Sequence, residues 1–339
     1  MILTMKYYPL IRKILPLLLI AAVIATGCKD KTEYKTIDGF TQGTTYHIVY
    51  SDNVGFAPDS LTEELLKMVD FSMSGYNQES IISQVNNGDS VKVDMMFADV
   101  FNRSVEMYRI SDGLFDVSAA PLFDIWGFGF KNKSAVNQQI IDSVLLYVGM
   151  DKVALEGTQI IKKTPGVKLN FNAIAQGYTA DVIGRAFDNL GIKNYLIEVG
   201  GEIFCKGVNS KGKTWSVGID KPEEGNMIQG QEIQDIILLT GGGLATSGNY
   251  RKFYEENGEK YSHTINPKTG YPVRDNLLSA TVIAADAMTA DAYGTYFMVA
   301  GLEKSIEVIE STPGIEGYLI YSKDGKFEVY KSKGIRVKK

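Results

Sequence analysis

Cysteine is almost missing from this chain. Two are present among 339 residues, Cys28 and Cys205, and histidine is equally scarce, represented by His47 and His263. So few soft ligands exclude a Cys/His zinc or iron–sulfur cluster, and two cysteines make no disulfide framework. Positive charge is not in excess either: 35 Lys and Arg stand against 40 Asp and Glu, a net charge of -5, which argues against a nucleic-acid partner. Beyond residue 24 no apolar run reaches the length of a membrane-spanning helix, and there is no fixed-period repeat or low-complexity tract. What is present is 45% apolar residue, ample for a core, in a length that allows one large domain or two smaller ones.

Charge and hydropathy are most unevenly distributed at the start. Lys6, Arg12 and Lys13 precede an apolar run from Ile14 to Ile24 and then Ala25-Thr26-Gly27-Cys28. This basic, apolar, small-residue order is the anatomy of an export signal, and the run is too short, and too interrupted by Pro16, for a spanning helix. Small residues before a cysteine resemble a bacterial lipobox. That implies cleavage before Cys28, acylation of its thiol, and a chain anchored to a membrane facing the periplasm with a net charge of roughly -8. Residues 1–27 are thus expected to be a lipoprotein signal peptide, 28–36 a polar tether and 37–339 the folded domain. Cys205 would be the remaining thiol, buried and inert because it alternates with Ile203 on a predicted strand.

Periodicity predicts interleaved helices and hairpins, an α+β class rather than a regular βαβ array. A strand opens at Gly43, with His47 on its face. Asp59-Ser60-Leu61-Thr62-Glu63 has capping-box form ahead of a helix to about Ser72. Helices are expected at 79–87, 97–110 (closed by Ser111-Asp112-Gly113), 138–148 and from Ala173 to Leu190, the last with Asn172 as candidate N-cap. Strands follow at 195–207 around Gly200-Gly201, then at 215–219, 232–239 and 279–284. Asp286 caps a helix over 287–300. A helix near 303–310 and a hairpin at Lys323-Asp324-Gly325 close the chain.

Three stretches carry candidate chemistry. The first, Leu239 to Val273, brackets Thr246 and Ser247 with glycines, then presents His263 just before the turn-forming Asn266-Pro267-Lys268-Thr269-Gly270. Glycines that let a backbone approach something bulky, with hydroxyls and amides for an anion, suggest a site; a glycine-rich hairpin on a sheet edge is the other reading. The second, Gly113-Leu114-Phe115-Asp116-Val117-Ser118 with Trp126-Gly127-Phe128-Gly129-Phe130, serves either as core packing or as a wall for a flat ring. In the third, Asp291 and Thr295 stand four apart on one helix face. Such a pair is commonly just a satisfied polar contact, but both oxygens are hard ligands of the kind magnesium takes.

Many of these motifs recur, in this order, in one family. Gly43-Thr44-Thr45-Tyr46, Ser74-Gly75-Tyr76, Gly113 to Asp116, Pro121-Leu122, Trp126 to Gly129, Ala173-Ile174-Ala175, Gly177-Tyr178, Gly200-Gly201-Glu202, Ala245 to Gly248, His263, Pro267 to Gly270 and Ala290-Asp291 resemble the ApbE-type FAD:protein FMN transferases. The resemblance implies two T-fold-like halves forming one catalytic unit, with mainly antiparallel sheets and flanking helices. It implies Mg²⁺-dependent cleavage of FAD, with FMN passed to a threonine hydroxyl of an exported acceptor, such as a membrane redox-complex subunit, and AMP released. By position it assigns the metal to the Ala173 carbonyl, Asp291 and Thr295. Flavin or adenosine contacts fall on Gln42, Tyr76, Leu114, Phe115, Asp116, Asn170, Gln176 and Ile265, and the base or hydroxyl-orienting role on His263. Three positions depart from the pattern: Gln42 replaces a frequent methionine, Asn170 a usual aspartate and Gln176 a usual lysine. The paired loss of acid and base leaves amides that still hydrogen-bond. An FAD pyrophosphatase, in which water replaces the threonine, and a lipid-anchored flavin-binding protein without turnover are the alternative functions.

Overall fold

Two hairpin–helix–hairpin units share one sheet in this computed structural model, which describes residues 32–52, 55, 57–129, 136–223, 226, 230–249, 253–256 and 259–338. The expected signal segment and Cys28 lie outside the described residues. In the first unit β1 (Tyr34–Thr41) and β2 (Thr44–Ser51) form one hairpin, helix α6 (Ala175–Asn189) follows, and β5 (Tyr195–Val199) and β6 (Glu202–Lys206) form the second. In the second unit the order repeats with β9 (Gly242–Gly248), β12 (Leu277–Ala284), helices α7 (Ala287–Ala300) and α8 (Leu302–Ser311), then β13 (Glu316–Lys323) and β14 (Lys326–Lys331). The eight strands lie in the order β1-β2-β5-β6-β9-β12-β13-β14, antiparallel throughout, and the halves join where Ile203, Phe204 and Cys205 pair with Leu244, Gly243 and Gly242. This is the α+β, mainly antiparallel, two-half architecture expected.

Helices α6 and α7 cover one face of the sheet. Their sequences dictate this: Ile183 and Phe187 of α6 meet Ile48, Tyr50, Tyr195 and Ile197 of the strands in one apolar cluster, and α7 is buried on nearly every side. The opposite face is covered by β7 (Trp215–Asp220) paired with β8 (Ile233–Leu239), whose Trp215, Ile219, Ile237 and Leu239 pack on Cys205, Leu244, Tyr318 and Ile320. Cys205 is 1% exposed, and burial pushes its thiol up to about 12, so it is inert as expected.

Between β2 and α6 the chain makes a long excursion. It contains α1 (Asp59–Met73), α2 (Ile81–Asn87), α3 (Met95–Ile110), α4 (Ala120–Trp126), α5 (Gln138–Leu145) and the small hairpin of β3 (Val153–Glu156) and β4 (Gln159–Lys162). Its aromatic core, with Phe97, Phe101, Phe115 and Phe171, runs continuously into the underside of α7 through Tyr293 and Phe297.

Three expectations change, and one alternative reading falls away. The tether to Thr36 is cut short because β1 begins at Tyr34, paired with Ser51. The capping box is not formed: α1 already includes Asp59, and Thr62 Oγ1 donates to the Pro58 carbonyl (3.0 Å). Asn172 is not a cap either, since α6 starts at Ala175 after Ile174 and has no side-chain cap. Finally, the glycine-rich stretch is no edge hairpin. Its β9 lies in the middle of the sheet, and what its glycines admit is the protein's own helix: a Cβ on Gly243 would stand 2.2 Å from the Ala287 nitrogen, and one on Gly177 of α6 2.3 Å from the Ala287 oxygen.

Candidate functional site

The close approach of α6, α7 and β9 leaves a cavity of about 420 Å³ at the end of the sheet. Every residue expected from sequence to form the site lines it except Gln42. Gln42 sits in the β1–β2 turn at a φ of 50° and donates from Nε2 to Thr179 Oγ1 on α6 (2.7 Å), bracing the turn against the helix rather than facing the cavity.

One wall comes from the turn after α3. Asp112 and Gly113, both at positive φ, reverse the chain, and the Ser111 hydroxyl accepts the Phe115 amide (2.9 Å), so that Leu114, Phe115 and Asp116 are presented together. The aromatic cluster proves to be both things at once. Trp126 and Leu122 are core, Phe123 and Phe128 line the cavity, and Phe115 does both. Asp116 Oδ1 accepts from the Ser118 amide (2.7 Å) and hydroxyl (2.6 Å). Burial nevertheless raises its carboxyl to about 6, outweighing those two bonds.

The second wall is the start of α6. Asn170 is held by its amide on the Val117 carbonyl (2.8 Å) and accepts the Asn172 amide on Oδ1 (2.8 Å). Ala173 and Gln176 follow. Among the described residues the Gln176 side chain has no protein partner, and its Nε2 lies beside Gly200. From α7 come Asp291 and Thr295, on one face as their spacing requires. Asp291 is 6% exposed; one oxygen takes the Gly177 amide at 3.2 Å, and the other takes no donor among the described residues. Burial drives this carboxyl well above the usual range, the Gly177 amide pulls it back in part, and the Asp181 charge adds to the rise.

Thr246, Ser247 and Gly248 at the end of β9 close the floor, with Thr246 Oγ1 2.9 Å from Thr281 Oγ1. Opposite, His263, Thr264 and Ile265 begin a tight reversal. Val273 donates to Thr264 (2.8 Å), Gly270 to Asn266 (2.8 Å), and Ile265 bridges Pro272. The Phe128 ring meets the His263 imidazole edge-on at 6.4 Å. Tyr76, 74% exposed, stands at the rim.

Two contributions escaped the sequence reading. Val217, Gly218 and Asp220 of β7 line the far side; nothing local distinguishes them from any alternating strand. Asp181, on the buried face of α6, accepts the first amides of α7, Ala287 N at 2.8 Å and Met288 N at 2.9 Å. An acid among the apolar positions Tyr178, Val182 and Ile183 was a signal that could have found it, because a buried carboxylate needs partners.

The likeness to known proteins follows the same outline. Residues 42–319 match the ApbE family. The FAD:protein FMN transferase of Haemophilus influenzae is 34% identical over 322 residues, 90% of this chain and 92% of that one, and that of Escherichia coli K12 is 30% identical over 335 residues, 93% and 94%. Among solved structures, the flavin transferase ApbE of Vibrio cholerae aligns with a TM-score of 0.80 at 31% identity, covering 89% of this chain and 98% of that one. The apo form of Pseudomonas stutzeri flavinyl transferase ApbE also gives 0.80, at 28% identity with 90% and 96% covered. Motif order, topology and the convergence of the motifs on one cavity agree, and the chain belongs to the ApbE family.

Proposed function

We propose that this cavity binds FAD and passes its FMN moiety, through the phosphate, to a threonine hydroxyl of an acceptor protein, with release of AMP. The observation that carries the reading is convergence. Segments far apart in sequence bring a flat apolar wall, amide donors, a buried carboxylate and an imidazole to one cavity, and relatives sharing most of the chain are flavin transferases.

In the reaction a bond forms from the acceptor Oγ to the flavin-side phosphorus as that phosphorus parts from the bridging oxygen, which leaves with AMP. The protein's part in such a transfer is positioning and charge. Leu114, Phe115 and Phe128 offer an apolar bed for the isoalloxazine, and Tyr76 at the rim closes over the ligand. Asn170 and Gln176 supply amide hydrogens where a charged pair is absent. His263 takes the hydroxyl proton and hands it to solvent. Magnesium fits the Ala173 carbonyl, Asp291 and Thr295, because Asp291 is a buried carboxylate with one oxygen uncommitted among the described residues and all three donors are hard oxygens. Bound there, it would neutralise charge on the phosphate oxygens.

The order of basic, apolar and small residues before Cys28 supports an exported, lipid-anchored enzyme acting on periplasm-facing acceptors such as membrane redox-complex subunits. The test is incubation with FAD, Mg²⁺ and an exported candidate acceptor, read by in-gel flavin fluorescence and AMP release. Fluorescent acceptor with matching AMP supports the transfer. Free FMN with no labelled protein would identify a pyrophosphatase instead, and intact FAD a binding protein.

A further inference from the structure

His263 stands at a bend, and its placement depends on the reversal that follows it. The reversal that follows it, residues 264–273, packs on α4 and α5: Ile265 is 2% exposed in a cluster with Leu122, Trp126 and Ile141. Gly270 is pressed there so closely that a Cβ would lie 2.4 Å from Ile141 Cγ2, at a φ of 76°. At this point the Trp126 indole, 5% exposed, donates from Nε1 to the Gly270 carbonyl at 2.8 Å. Its ring also lies 5.9 Å from that of Tyr271. The same short stretch carries Phe123 and Phe128, which line the cavity.

We infer that Trp126 is a positioning residue for the transfer: its indole N–H, bonded to the Gly270 carbonyl, sets the reversal and with it the His263 imidazole in register with the Phe123–Phe128 wall. The inference rests on the proposed transfer, in which His263 handles the acceptor proton. Ring packing alone would hold the reversal near α4 but would leave it free to slide. The indole N–H donates along one direction only, and leaving it or the buried carbonyl unpaired is costly, so the bond selects one placement. The exposed pair of Lys268 Nζ with Asp112 Oδ2 (2.6 Å) ties the tip of the same turn to the Leu114 wall but is solvated, and contributes little to that selection.

Trp126→Phe keeps an aromatic ring and removes the N–H. The chain has only two histidines, so the imidazole ¹H–¹⁵N spectrum reads the placement directly, with His47, exposed on β2 beside Asp38, as internal control. The expected result is that the His263 signals move while those of His47 stay. FAD affinity should remain within about threefold, and the rate of flavin transfer should fall roughly 10- to 100-fold, as a displaced catalytic group produces. Unmoved His263 signals with an unchanged rate would overturn the inference; so would a loss of FAD affinity that accounts for the whole loss of rate.

Should Trp126→Phe fail to fold, the unsubstituted protein still decides. The Trp126 indole proton should exchange slowly, like that of Trp215 bonded to the Lys206 carbonyl (3.1 Å), and shift when FAD is added. Rapid exchange, or no response to FAD, would contradict the role. A wild-type chain that flavinylates nothing would refute the proposed function, whereas the histidine spectrum judges the positioning independently.

Discussion

At the scale of single residues, two carboxylates in the cavity have separate consequences. Asp291→Ala removes the one carboxylate assigned to the metal, and should abolish FMN transfer while the protein still melts cooperatively. Thr295→Ala should be milder, because water can replace a neutral hydroxyl. Mg²⁺-dependent turnover persisting in Asp291→Ala would show the metal assignment to be wrong. Asp116 bears on stability instead. Its carboxyl stands at about 6 in the folded chain against an ordinary 3.8, so the native state holds the proton more tightly than the unfolded one. The stability it contributes is complete below about pH 4 and is lost as pH rises through about 6, an effect on the order of 3 kcal/mol. Asp116→Asn keeps an acceptor for the Ser118 amide. Without FAD, its Tm should therefore fall less than the wild-type Tm between pH 4 and 7, and parallel curves would count against the burial argument. Residues of this kind were legible wherever a motif named them. Asp181 was marked only by its place among apolar helix positions, and its partners, amides more than a hundred positions away, were not legible.

Among the elements, helix termini and tight hairpins were the most readable, since their signals are local. Asp286 caps α7 through the Thr289 amide (2.7 Å), and Asp324-Gly325 turns β13 into β14. Edge and central strands were harder. In β1 Ile37 is the one buried position, so alternation hardly shows and its first residues read as a tether. The glycines of β9 have low strand propensity, and pairing on both sides makes that segment a strand. The contact of β9 with α7 is correspondingly exacting. Gly243→Ala would drive a methyl into the Asp286–Ala287 backbone, and overpacking against backbone costs about 2 kcal/mol or more. Because α7 carries Asp291 and Thr295, FAD affinity should fall together with Tm. A variant that melts with the wild type and binds FAD normally would contradict this account of the glycine.

For the whole molecule, periodicity pointed to the class, whereas the two halves were expected from the family resemblance alone and not from any repeat in the sequence. Each half is a hairpin, a helical layer and a hairpin, yet the excursion after β2 brings α1 to α5 into the first half, and β10 (Phe253–Glu256) paired with β11 (Glu259–Ser262) interrupts the second. No fixed period survives such unequal insertions. The same insertions build the site, one supplying the Leu114–Asp116 wall and the other leading into His263. At the N-terminus the lipobox reading makes Cys28 the first residue of the mature chain, acylated; mass spectrometry of the membrane fraction should find it so, and an intact Met1 or an unlipidated soluble chain would refute it. The central claim is that the cavity transfers a flavin phosphate with His263 as base, and single-turnover AMP release in His263→Ala, alongside FAD titration, tests it most directly. The account predicts FAD binding close to wild type, with acceptor-dependent AMP release slowed roughly 10²- to 10⁴-fold. Undiminished AMP release in the presence of acceptor would contradict it.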